Sequence, residues 1–154
     1  MENSRQIENS NAKVKITMSE RKTDYISTSK ADYFISKVLR KEILSFLSEY
    51  SLIKVNSSLL DVGCGGQPFR SIVESNGINY FSLDLEQNHL NNVDHLGSID
   101  SDLPSELKNE VKFDILFCTE VMEHVLQWDK AFSNFNKLTT DEGIVLITCP
   151  FLYF

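Results

Sequence analysis

Apolar residues recur along this chain in two rhythms, and the change from one to the other organises it. From Ser29 onward Tyr33, Phe34, Val38, Leu39, Ile43, Phe46, Leu47 and Tyr50 return at steps of three and four. That spacing gathers them on one stripe of an amphipathic helix. Ser29 or Ser27 is placed to cap it, with Asp32 in the first turn. Residues 1–28 are polar, rich in Asn, Ser and Lys, hold no sustained period and read as a flexible N-terminal segment. Residues 29–154 then read as one domain.

Beyond the helix, short apolar runs alternate with helical segments. Leu59–Val62, Tyr80–Asp84, Phe113–Cys118 and Ile144–Cys149 read as strands, with Gly97–Asp100 a brief further strand. Phe69 to Asn76 reads as a helix closed by Gly77 at the C′ position. Glu86–Asp94 is polar and irregular, and Pro104 starts a helical turn that runs to Lys108. Glu120–Val125 begins another helical segment, Asp129 is placed to cap a helix through Leu138, and Thr139–Gly143 is a turn. Nearly continuous apolar strands separated by helices imply a parallel sheet buried on both faces. The fold class is a doubly wound α/β domain.

Composition narrows the picture without changing it. With 42% hydrophobic and 24% charged residues over 154 positions, the chain resembles an ordinary single domain. No apolar run approaches the roughly 18 residues of a membrane span, and the first residues lack the h-region of a signal peptide; a cytoplasmic protein is expected. Cys64, Cys118 and Cys149 are widely spaced and odd in number, so neither a disulfide scaffold nor a metal site is suggested. The formal net charge of -7 opposes phosphate backbones at long range, so no nucleic-acid partner is expected. The basic stretch Lys13–Lys22 reads as a solvated arm.

The richest chemistry lies in Asp61-Val62-Gly63-Cys64-Gly65-Gly66-Gln67-Pro68-Phe69. A strand that runs into clustered glycines and then a helix makes a loop whose backbone can approach a ligand closely. Asp84 ends the next strand, 19 residues after Gly65, near the offset at which an acid accepts ribose hydroxyls. A dinucleotide fingerprint would need a third glycine where Pro68 stands, and proline cannot reproduce that packing. A nicotinamide-dependent oxidoreductase is therefore disfavoured.

Leu60-Asp61-Val62-Gly63-Cys64-Gly65 resembles the first motif, (D/E)xGxGxG, of class I S-adenosylmethionine-dependent methyltransferases. Asp84 resembles their second-strand acid. The segment from Phe113 to Val125 is similar to their fourth-strand motif, and Leu138–Thr148 to their "LkpgG" turn and fifth strand. The third motif glycine would fall at Gln67, a departure from the pattern. The likeness covers roughly residues 55–153. It implies a Rossmann-like, mostly parallel sheet with helices on both faces, lacking the last of the usual seven strands. It also implies S-adenosyl-L-methionine as cofactor and methyl transfer to an unidentified small-molecule acceptor.

Carried over residue by residue, the resemblance assigns cofactor contacts to Asp61, Gly63, Cys64, Gly65, Asp84, Leu85, Ile99, Asp100 and Thr119. Gly63 and Gly65 would hold the methionine portion with Asp61 near it, and Asp84 the ribose. Asp100 would meet the adenine amine, with Ser98 an alternative, and Ile99 would lie beside the ring. His124 is the candidate general base, with a structural role for its ring as the alternative. Cys118 lacks the preceding proline of cytosine-modifying relatives, and no [DN]PP[YF] motif occurs. A cofactor-holding protein without turnover is the rival reading, because the sequence stops just beyond its fifth strand. Self-association through that strand's uncovered edge is expected.

Overall fold

In the computed structural model of the chain, residues 30–53, 56–108 and 111–149 are described, with side chains from 37 to 50 in the first stretch. The first helix, α1, spans Lys30–Ile53. Ile43, Leu47 and Tyr50, at successive steps of four and three, are its buried side chains, while Val38 from the same stripe is exposed. The Ser27 and Ser29 caps and the N-terminal segment lie outside the described residues, as do the side chains of Asp32, Tyr33 and Phe34.

Five strands follow: β1 (Ser58–Val62), β2 (Asn79–Asp84), β3 (His95–Leu96), β4 (Phe113–Thr119) and β5 (Thr139–Thr148). They form one sheet in the order β3-β2-β1-β4-β5, and every pairing is parallel. The doubly wound α/β reading is thus met. The helices between strands are α2 (Arg70–Ser75), α3 (Ser105–Lys108) and α4 (Trp128–Leu138). The order in which strands are added along the sheet reverses between β1 and β4, the switch point at which such folds open a crevice beyond the strand carboxyl ends.

Both faces of the sheet are covered. On one face Leu59, Ile115 and Phe117 pack with Ile43 and Leu47 of α1 and Val73 of α2. On the other, Leu60, Val62, Leu83 and Leu116 pack with Leu107 of α3 and Ala131, Phe135 and Leu138 of α4. Adjacent residues of β1 therefore point to opposite cores, which is why its run is continuously apolar rather than alternating. At the edge, β5 leaves Ile144, Val145 and Ile147 more than a third exposed. Fully buried Leu47 is the keystone of α1. Leu47→Ala should cost about 2–5 kcal/mol of stability, read as a lower urea midpoint.

Helix ends follow the local chemistry. Gly77, at φ 73, closes α2: its N–H donates to Glu74 O and the N–H of Ile78 to Val73 O, the paired bonds of a Schellman motif. Four local expectations change. The third strand is His95–Leu96, not Gly97–Asp100. Asp94 accepts both the N–H and the hydroxyl of Ser82, so the segment is tied to β2 just before His95, and Ser98–Ser101 then turns away. Beyond β4, the segment expected as helical is a single 3₁₀ turn, Met122–His124, because Glu120 takes a left-handed φ of 56. Asp129 sits inside the first turn of α4 rather than capping it; the N–H groups of Leu126 and Gln127 donate instead to Asp100 Oδ2. Finally, β5 begins at Thr139 opposite Phe113, and its register then steps to Ile144 opposite Ile115. The expected turn at Thr139–Gly143 is this irregularity inside the strand.

Candidate functional site

The loop after β1 is built on left-handed backbone. Gly63, Gly65 and Gln67 have φ of 71, 49 and 59, a region that costs residues with a side chain about 1–2 kcal/mol each. The N–H groups of Gly63 and Cys64 both donate to Leu83 O, at 2.8 and 3.3 Å, which lashes the loop to the end of β2. A Cβ on Gly63 would collide with the side chain of Val121. Glycine is thus required here because the segment after β4 packs directly upon it, across the switch point.

Asp84 completes this unit. Its Oδ2 accepts the N–H of Gly65 at 2.8 Å and its Oδ1 the N–H of Leu85 at 2.7 Å. Glycine loop and acid are therefore one hydrogen-bonded assembly at the carboxyl edge of two adjacent parallel strands. Asn88 adds a donor to Gly65 O at 3.2 Å and anchors its own loop through Asn92. Gln67, a departure from the motif glycine, is buried; its amide bonds Ser82 Oγ and Asn92 O and receives Arg70. The loop closes through that side chain.

Asp61 lies beneath the loop, buried, and accepts the hydroxyl of Tyr80 at 2.6 Å. Burial pushes its carboxyl up to about 7; the Tyr80 bond opposes the shift, and the negative charge of Asp84 adds to it. Cys64 is buried, and burial first, then Asp61 and Asp84, push its thiol up to about 12. Burial likewise raises Cys118 to about 12. Thiols so protonated are poor nucleophiles.

The remaining sequence candidates separate. Thr119 ends β4, buried, beside the loop's strand. Leu85 follows Asp84 with its side chain exposed. The side chain of Ile99 sits in the core packed against α3 and α4. Asp100, bonded to Ser98 and to the approach of α4, has its carboxyl held below the usual range, chiefly by the Ser98 hydroxyl. His124 is 79% exposed, with Nε2 3.9 Å from Glu123 Oε1. Among the described residues no group of three His, Cys, Asp or Glu side chains is placed to hold a metal ion. Likewise no described helix is long and apolar enough to cross a membrane.

A family model described as a methyltransferase domain matches residues 31–153. The chain belongs to that family. The ubiquinone biosynthesis O-methyltransferase of Rickettsia bellii (strain OSU 85-389) is 29% identical over 99 residues, covering 58% of this chain and 40% of that protein. The chain thus spans well under half the length of this curated relative. Among solved structures, a Pyrococcus horikoshii OT3 protein superposes with a TM-score of 0.57 at 20% identity, over 81% of this chain and 60% of its own. Coclaurine N-methyltransferase bound to N-methylheliamine and SAH gives 0.51 at 17% identity, over 69% and 34%. At such identities these likenesses speak for the fold.

Within this methyltransferase domain, four participants went unread in the sequence. Tyr80 meets Asp61 only through the register of β1 against β2. Gln67 and Asn88 stood in the loops without a role. Glu120, whose N–H bonds Thr148 O and whose carboxylate receives the Thr148 hydroxyl, orients Val121 over Gly63. The left-handed pair Gln67 and Glu120 carried no signal in residue type.

Asp61 makes stability depend on pH. A carboxyl whose folded value lies above its unfolded value binds its proton more tightly in the native state. Its stabilising contribution is full below the unfolded value, near 3.8, and is lost as pH rises toward about 7. Asp61→Asn keeps an acceptor for Tyr80 and cannot ionise. Between about pH 5 and about pH 8, wild type should lose on the order of a few kcal/mol relative to this variant, read by urea unfolding. Parallel pH profiles would refute this role.

Proposed function

We propose that this domain binds S-adenosylmethionine between the Gly63–Gly65 loop and Asp84 and transfers its methyl group to a small-molecule acceptor. The observation that carries the reading is the bond from Gly65 N–H to Asp84 Oδ2 at 2.8 Å, which fixes loop and acid as one pre-formed unit. The donor set fits the group. The amides of Gly65 and Leu85 hold the Asp84 carboxylate in place, and carboxylate oxygens are the acceptors that a ribose diol requires. Asp84, joined by Asp61 as it ionises toward about pH 7, gives the loop a negative floor, suited to a ligand with cationic sulfonium and ammonium centres.

When bound, S-adenosylmethionine supplies a methyl group already activated on sulfur. The chain's part is then positional: Gly63 and Gly65 seat the amino-acid end, Asp84 fixes the ribose, and Asp61 beneath the loop complements positive charge. Aligning methyl and acceptor and excluding water is a proximity effect worth several kcal/mol. His124, exposed as it is, is proposed as a base only for an acceptor that must lose a proton early.

A second reading, cofactor holding without turnover, is favoured by the exposure of His124, the candidate base. Calorimetric titration tests the shared part. S-adenosylhomocysteine should bind one to one and NADH should not; the reverse would overturn both readings. Donor consumption with candidate acceptors then separates them, because turnover above the rate without acceptor excludes mere holding.

A further inference from the structure

A cavity of about 580 Å³ lies along α3 and α4, away from the glycine loop. Its volume falls in the range of small-molecule sites, roughly 300–1,000 Å³. In a chain of net charge -7 its wall is basic: Lys108, Lys112, Lys130 and Lys137 face it, with Asp102 the one acid among the described residues that line it. The floor is apolar, formed by buried Leu103 and Leu107 and by Val111.

These lysines come from separate segments and converge only in the fold. Lys112 directly precedes β4, and Lys137 stands one residue before the end of α4. Both therefore lie at the sheet edge opposite Gly63–Gly65, so this is not an extension of the site above. Lys130 is taken by Asp102 at 2.9 Å, and Lys112 meets Asp141 at 3.5 Å in an exposed pair. Lys108 and Lys137 also act on Asp102, whose carboxyl is held below its usual range first by the Lys130 bond. Among the described residues neither Lys108 nor Lys137 forms an ion pair of its own.

We propose that this cavity is a second ligand site, for an organic phosphate whose carbon body rests on Leu103, Leu107 and Val111 and whose phosphate is met by Lys108 and Lys137. A phosphate monoester carries about -1.5 to -2 charges at neutral pH, which matches two ammonium groups better than a single carboxylate does. Lysine serves phosphate as a point charge without demanding bidentate geometry. The apolar floor supplies what inorganic phosphate cannot use.

The test is calorimetric titration of the full chain with 1-naphthyl phosphate, 1-naphthol, 1-naphthoate and inorganic phosphate. 1-Naphthyl phosphate should bind at least tenfold more tightly than each of the other three and weaken as salt is added. Lys108→Gln/Lys137→Gln, at two exposed positions, should lower that affinity at least tenfold, whereas Lys41→Gln on α1 should not. S-adenosylhomocysteine should neither displace the ligand nor lose affinity in the double variant. No binding, equal binding by the double variant, or displacement by S-adenosylhomocysteine would overturn the site. Equal affinity for 1-naphthoate would overturn its assignment to phosphates.

Discussion

Asp84→Ala should abolish measurable binding of S-adenosylhomocysteine, a loss of at least a hundredfold, and lower stability by about 3 kcal/mol. Asp84 is buried and accepts the N–H groups of Gly65 and Leu85. Hydrogen bonds to a charged acceptor contribute about 1.5–3 kcal/mol each, and both donors lose their partner. Asp84→Asn should be intermediate in stability, since its amide retains one acceptor oxygen but turns an NH₂ toward the second backbone N–H. Its affinity should still fall sharply, because that NH₂ cannot accept from a ribose hydroxyl. Titration calorimetry and urea unfolding of both variants separate the two effects. Wild-type affinity in Asp84→Asn would remove the acid from the site.

The second large effect belongs to Gly63→Ala. At φ 71 any side chain costs about 1–2 kcal/mol of backbone strain, and overpacking against the Val121 side chain adds about 1–3 kcal/mol. The variant should therefore be destabilised by roughly 3 kcal/mol and bind the cofactor product poorly. Removing the obstacle dissects the cost. Gly63→Ala combined with Val121→Ala should be more stable than the sum of the single changes, since the pair shares one contact. The remaining deficit measures the backbone alone. Strict additivity would mean that Val121 does not constrain the loop.

How far this was legible in the sequence depends on whether a residue acts through its neighbours in the chain or across the sheet. Leu59–Val62 and Phe113–Cys118 announced central strands because both faces of such strands are buried. The clustered glycines and Asp84 were legible through their offset along adjacent strands, and Gly77 because a helix end needs a residue tolerant of positive φ. The strand at His95–Leu96 was not, for it is placed by the Asp94–Ser82 bonds rather than by its own apolar content. Nor was the anchoring of α4 by Asp100, which lies 26 residues from Leu126. Asp129 was the better local candidate, and a distant carboxylate took its place. The lysines around the α3–α4 cavity were equally silent, being scattered between Lys108 and Lys137.

Two carboxyl groups, Asp61 and Asp84, lie buried at one loop. Asp61 is raised by burial and by Asp84, a costly arrangement in the free protein that a cationic ligand would relieve. Affinity for S-adenosylhomocysteine, whose amino group is positive, should accordingly rise with pH through about 7 as Asp61 ionises. In Asp61→Asn that rise should vanish.

Backbone amide NMR during titration with S-adenosylhomocysteine tests most directly whether loop and acid grip the adenosyl ligand together. The amides of Gly63, Cys64, Gly65 and Leu85 should show the largest shifts and move in concert, saturating at one equivalent. Shifts confined to other segments, with those four amides unmoved, would contradict the assignment of this site.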